Sequence, residues 1–357
     1  MDIGLIGLPQ SGKTTVFQAL TGQQPTGSGH MEPNVAVVKV PDERIDRLAE
    51  LFHSKKIVHA TVRYVDLPGV SSELTQGKGL PEEHLRHLGL VDALLAVLRG
   101  FESGGIAPDI SGELDSIHTE LILSDLQKVE NRLEKLEKSV KKVSGDERNK
   151  QQRELDAVQK IHAALNANQA IRELELDPEE KKAIRGFQFL SEKPILYLVN
   201  IGEDDQLEQR DCTGAIAAWS SRPRAAAAQL CAQIEMEIAS LEGEDRESFL
   251  SDYKIQQAAA ETIIRQCYDL LGNITFLTAG DPETHAWTIP SGSKAPQAAG
   301  AIHTDFEKGF IRAEVSLYED LIQLGSFAEL KKQAKLRMEG KDYTVQDGDV
   351  MHFLFNK

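Results

Sequence analysis

The chain has 357 residues, 41% of them hydrophobic and 27% charged, with a formal net charge of −16 at pH 7. This is the composition of a soluble globular protein large enough for two or three cores, and it excludes a disordered, collagenous or membrane-spanning chain. The acidic balance weighs against tight, indiscriminate nucleic-acid binding, which rests on neutralising phosphates, and no DNA specificity is expected.

The opening MDIGLIGLPQ carries no basic leader and no small-residue cleavage site, and its apolar run predicts a first strand; the few scattered cysteines fit a reducing cytoplasm. Residues Gly7 to Thr14 fit the spacing GxxxxGK[ST], between that strand and a helix predicted from Lys13 to Leu20. In such a loop, backbone N–H groups close around phosphates with the positive helix end behind them. Lys13 is placed to reach the β- and γ-phosphates as a catalytic cation, and the Thr14 hydroxyl to ligate Mg²⁺.

Strands predicted at 35–40, 61–66 and 93–98 alternate with helical patterns, the rhythm of a mostly parallel sheet covered on both faces. YVDLPG sets Asp66 at a strand end, where its carboxylate can hold Mg²⁺ through water. The Gly69 N–H, three residues on, can sense the γ-phosphate. His84 and His87 have no third ligand type nearby and read as a solvated or hydrogen-bonded surface pair.

From 122 the apolar positions Ile122, Leu126, Val129, Leu133, Leu136, Val140 and Val143 alternate by four and three, a heptad seam. Gly145 reads as a helix stop and DERN as a polar connection. Leu155, Val158, Ile161 and Leu165 return the seam as an antiparallel coiled-coil hairpin. Asp177 with Pro178 predicts the start of a short helix. PILYLVN at 194–200 then resumes the sheet, so the hairpin is an insertion within the α/β domain.

YLVNIGEDD ends a strand with Asn200 and places Glu203 three residues later, where guanine-specific proteins show NKxD. Ile201 in place of the lysine and the longer Glu203 in place of the aspartate remove the guanine clamp and turn the reading toward adenine. Asn200 and Glu203 also suit capping of the next helix. LCAQIE at 230–235 is a candidate loop behind the base, with the Ala232 backbone as contact. Short strands and Gly, Pro and Asp-Gly turns in the last 85 or so residues predict a small α+β domain. Cys212, Cys231 and Cys267 are too few and too scattered for a disulfide framework or a zinc ribbon. Residues 126–165, with ten basic residues against seven acidic, and the lysine-rich 331–341 are the candidate RNA-facing surfaces, or simply solvated helix faces.

With GLPQSGKTT, EPNVAVVKVPDERIDRLAE, IHTELILSDL, NIGE and the carboxy-terminal blocks AWTIPSGSKAPQAAGAIHTDFEKGFIRAEV and EGKDYTVQDGDVMHFLFN, the sequence resembles, over essentially its whole length, the YchF subfamily of Obg-related P-loop GTPases. That family includes proteins preferring ATP. The resemblance implies an α/β Ras-like P-loop G domain with a mostly parallel sheet, an inserted coiled-coil helical domain and a carboxy-terminal β-grasp, ubiquitin-like TGS domain. The expected boundaries are 1–115 and 191–271 for the two parts of the G domain, 116–190 for the insertion and 272–357 for the TGS domain. It further implies Mg²⁺-dependent ATP hydrolysis and association with ribosomes or structured RNA. The phosphate-binding stretch falls on Gln10, Ser11, Gly12, Lys13, Thr14 and Thr15, and the adenine contact on Asn200 and Ile201.

Three positions depart from the family pattern. Gln10 stands where the family commonly has Asn, a side chain linked in related GTPases to a monovalent cation. His30 stands where the family has a threonine, with Thr26 or Ser28 as the nearest hydroxyls. Val70 follows Gly69 where Ras-like enzymes place a water-orienting Gln. The expected function is a slow ATPase switch acting in translation or stress regulation. The alternatives are a GTP-specific enzyme, or a nucleotide-binding scaffold with little hydrolysis.

Overall fold

The computed structural model describes residues 1–24, 33–67, 81–241 and 243–356. Among them run β1 (Asp2–Gly7), β2 (Asn34–Lys39), β3 (Ile57–Val58), β4 (Thr61–Asp66), β5 (Ala93–Gly100), β6 (Ile195–Ile201) and β7 (Ala225–Leu230). The remaining strands are β8 (Asn273–Thr278), β9 (Thr284–Pro290), β10 (Phe310–Leu317), β11 (Arg337–Glu339) and β12 (Asp349–Phe355). The chain divides into two compact units, one of residues 1–38 and 63–270, the other of 39–62 and 271–357. Thr26, Ser28, His30, Gly69 and Val70 lie outside the described residues.

In the first unit the sheet order is β2-β4-β1-β5-β6-β7. Each pair from β4 to β7 is parallel. Every residue of β6 is buried, as are all but one of β5, which explains their unbroken apolar runs. Parallel strands in close register bring their carboxyl ends to one edge: Leu5 lies opposite Asp66, Gly7 opposite Val97, Arg99 opposite Asn200, and Asn200 opposite Leu230. That edge is where open α/β sheets bind ligands.

The helical insertion grows from the sheet without a break. The helix Ile110–Ser139, capped by Asp109, begins earlier than the seam. It places Leu114, Ile117 and Leu121 in the core of the sheet. Its later residues Ile122, Val129 and Leu136, with Val140 just past its end, pack with Leu155, Val158, Ile161 and Leu165 of the helix Gly145–Asn166. Cross-links Glu130–His162, Arg132–Glu154 and Ser139–Gln151 run the two helices antiparallel. Gly145 opens the second helix instead of closing the first. Asp146 and Glu147 stand in its first turn, where the helix end favours acid, so DERN is helical and Val143 falls in the turn. The Asp177 start is as expected, a capping box with Glu180 and Pro178 in the first turn. His84, expected at the surface, is buried on the helix Glu82–Leu90.

In the second unit the order is β11-β10-β12-β8-β9-β3, with Phe276, Ala298, Ala299, Val315, Met351 and Phe353 forming a core beside the helix Ala295–Ile302. The two-residue β3 pairs with β9, which draws 39–62 into this unit. Arg44 secures the join by pairing with Asp42 and Asp347. Nothing in the strand spacing of the first hundred residues announces it. Cys212, Cys231 and Cys267 are free thiols, and burial pushes Cys267 up to about 12, leaving it inert. Among the described residues no helix is long and apolar enough to cross a membrane.

Candidate nucleotide site

The loop after β1 has the shape its glycines allow. A Cβ on Gly7 would stand 2.7 Å from both Ser11 Oγ and the Val97 carbonyl oxygen. One on Gly12, whose φ is +81°, would stand 2.2 Å from Asn200 Nδ2. Gln10 also takes a positive φ, 63°, a conformation that Asn adopts more readily than Gln. Ser11 Oγ is buried with no hydrogen-bond partner among the described residues, a polar group aligned with the loop and without an internal use.

Lys13 opens the helix Lys13–Thr21 and is buried. Its Nζ donates to the Leu67 carbonyl and lies 2.8 Å from Asp66 Oδ1, an ion pair without hydrogen-bond geometry. Asn34 Nδ2 reaches Asp66 Oδ2 at 3.4 Å. Thr14 is exposed and Thr15 half-buried. The Thr14 hydroxyl and Asp66 carboxylate are hard oxygen donors of the kind Mg²⁺ takes, and no cluster of three His, Cys, Asp or Glu makes a protein cage among the described residues. That set fits an ion which completes its shell with water and phosphate oxygens.

Asn200 is buried, and both ends of its amide are engaged. Its Nδ2 donates to the Ser11 carbonyl at 3.0 Å, and its Oδ1 accepts from the Ala232 N–H at 3.0 Å. One side chain thus ties the phosphate loop to the loop after β7. It does not cap the helix that follows it, Glu203–Leu207, whose N-cap is Gly202 with no side-chain cap; its Oδ1 instead meets the first N–H of the helix Ala232–Ser240. Ile201 sends its side chain into the core, leaving only backbone for a ligand, and Glu203 is exposed.

Sequence reading missed two neighbours. The Phe101 ring comes within 3.9 Å of a Cβ built on Gly12, and its Cβ within 3.5 Å of one on Gly202, so it stands between the phosphate loop and the NIGE turn. Arg99 sets the loop that carries it, donating to the Phe101, Ile106 and Ala107 carbonyls. Glu113 accepts from the Arg99 N–H at 2.9 Å. Burial pushes its carboxyl above the ordinary range, against the pull of Arg99. The position of Arg-Gly-Phe just past an apolar strand was the available signal.

Residues 2–143 match the family model for 50S ribosome-binding GTPases, and residues 273–356 match the carboxy-terminal domain of YchF GTPases, itself described as of unknown function. The ribosome-binding ATPase YchF of Bacillus subtilis is 38% identical over 100% of this chain and 99% of its own length. That of Haemophilus influenzae is 41% identical over 99% of this chain and 98% of its own. The chain belongs to the YchF family. The solved YchF GTPase of Schizosaccharomyces pombe matches it with a TM-score of 0.86 and 31% identity, over 99% of this chain and 97% of that one. YchF membership accounts for both the P-loop sheet and the second unit.

Proposed function

We propose that this chain binds Mg·ATP at the carboxyl edge of the first sheet, hydrolyses it slowly, and uses the nucleotide state to govern binding to the ribosome. The observation that carries this reading is the convergence of Lys13, Asp66, Asn200 and Ala232 at that edge, with Ile201 and Glu203 where a guanine clamp would stand. Its bacterial relatives are named ribosome-binding ATPases.

Gln10, Ser11, Gly12, Lys13, Thr14 and Thr15 hold the phosphates, Gly69 senses the γ-phosphate, and Asn200, Ile201, Glu203 and Ala232 surround the base. Thr14 and Asp66 would hold Mg²⁺, which when bound would neutralise charge on the phosphates. Lys13 shifts from the Leu67 carbonyl to the phosphates, and the backbone donors of the loop stabilise the charge that develops there. The division at 115/116, 190/191 and 271/272 into G domain, helical insertion and TGS domain is part of the proposal.

GTP is the second reading, favoured by the GTPase names of the fungal structure and the amino-terminal family model. The basic stretches are weaker than their composition: Arg132, Lys138, Lys160, Lys332, Lys335 and Arg337 all sit in ion pairs. The exposed pairs among them, Lys138–Glu134 and Lys332–Glu329, are worth about 0–1 kcal/mol, whereas Arg337 is paired with the buried Asp349 carboxylate. The test is turnover with and without ribosomes against a Lys13→Ala control. Stimulation by ribosomes that Lys13→Ala abolishes supports the switch, and equal, near-zero turnover in both supports a scaffold.

A further inference from the structure

The helix Ala232–Ser240 begins at the residue whose N–H is bound by Asn200, so whatever fixes this helix also fixes the loop after β7. Glu235 lies three residues beyond Ala232, on the same face and in the first turn. It is 4% exposed. Its side chain does not serve its own helix. Oε1 accepts from the Ala259 N–H at 2.8 Å and Oε2 from the Ala260 N–H at 3.2 Å, the first turn of the helix Ala259–Leu270. A helix N-terminus has unpaired N–H donors and a positive dipole end, and here both are met by a carboxylate from a remote helix.

Both helices pack against the helix Lys13–Thr21 that follows the phosphate loop. A continuous chain of polar contacts therefore runs from the Ser11 carbonyl through Asn200 and the Ala232 N–H to the first turn that holds Glu235, and from Glu235 to the amino end of Ala259–Leu270. A neutral amide at 235 has one acceptor in place of two and presents an NH₂ to an N–H.

We propose that Glu235 is a positioning residue for nucleotide-base recognition, holding the Ala232 loop in register with Asn200 by clamping the amino end of the helix Ala259–Leu270. This rests on the nucleotide reading above. The charged groups that bear on Glu235 are Glu261 and Arg246, themselves 3.3 Å apart in an ion pair, and the titratable Cys231 thiol nearby is held neutral by burial. Burial raises the Glu235 carboxyl above its ordinary value, with Glu261 adding to the rise and the two N–H groups and Arg246 opposing it.

The test compares full-length wild type, Glu235→Gln and Glu235→Asp for binding of Mg·ATP, Mg·GTP and Mg·tripolyphosphate, with kcat and KM and a pH series. The expected result for Glu235→Gln is a KM and Kd for nucleoside triphosphate raised about ten-fold, with kcat within two-fold and tripolyphosphate affinity unchanged. Glu235→Asp, which retains a carboxylate on a shorter stem, should fall between. Wild-type affinity for ATP should weaken as acid protonates the carboxylate, and Glu235→Gln should lack that step. Equal loss for nucleotide and tripolyphosphate, or a pH profile shared by wild type and Glu235→Gln, would overturn the inference. Wild type that binds ATP with Glu235→Gln indistinguishable from it would do the same while leaving the nucleotide reading intact. Wild type that binds tripolyphosphate but neither nucleotide would end both.

Discussion

Replacing Asn200 by alanine removes two buried hydrogen bonds at once, that to the Ser11 carbonyl and that from the Ala232 N–H. Each leaves a backbone group without its partner at a cost of about 1–3 kcal/mol. The free chain relaxes and recovers part of this, so a net loss of about 2–4 kcal/mol of stability is expected, and a Tm lower by roughly 5–15 °C. Nucleotide binding has to restore the Ser11 conformation without the amide, and the roughly 1–3 kcal/mol lost at that one carbonyl weakens ATP about five- to 150-fold. Asn200→Asp is the sharper variant. It keeps an acceptor for the Ala232 N–H but sets a carboxylate oxygen about 3 Å from the Ser11 carbonyl oxygen, so it should bind ATP no better than alanine. Fluorescent-nucleotide titration and thermal unfolding read both quantities. An Asn200→Ala protein with Tm within 1 °C or so of wild type and unchanged Kd would refute the reasoning.

The buried Lys13–Asp66 pair gives a test of a different kind. Lys13→Met should abolish turnover and destabilise the free chain by about 3–5 kcal/mol in urea unfolding, because Asp66 is left facing no cation, while adding Asp66→Asn should restore stability but not turnover. His118 is buried, with its Nε2 donating to the Asn168 carbonyl at 3.0 Å. Burial, aided by Arg172 and Arg222, lowers its pKa below the ordinary 6.5. The unfolded chain therefore binds the extra proton first. The His118 contribution to stability is whole above about pH 6.5 and is lost as pH falls through the depressed folded value, so urea midpoints should drop from pH 7.5 to 5 by less in His118→Gln than in wild type. Phe101→Ala should weaken ATP roughly five- to thirty-fold while leaving tripolyphosphate binding unchanged, a difference that competition titration resolves.

The features easiest to read in the sequence were those that obey a period or a spacing. Continuous apolar runs identified β1, β5 and β6, the four-three alternation identified the hairpin seam, and the loop-forming glycines with Lys13 identified the strand-loop-helix turn after β1. What was not legible depended on contacts between distant residues. Only the fold shows that Asn200 spends its amide on Ser11 and Ala232, that Glu235 caps a helix two dozen residues away, and that a two-residue strand draws 39–62 to the carboxy-terminal unit. Gly145 was misread because glycine with positive φ serves either side of a helix boundary, and the acids after it decided which. His84 was misread because the burial of a histidine depends on the helix face it shares with Leu88, not on its own polarity.

The central claim is that NIGE has exchanged guanine for adenine at an otherwise ordinary P-loop edge. Parallel titration of the full-length chain with Mg·ATP and Mg·GTP tests it most directly. ATP should bind more tightly than GTP by about ten-fold or more, a difference of at least roughly 1.4 kcal/mol. GTP binding as tightly as ATP, or more tightly, would contradict it.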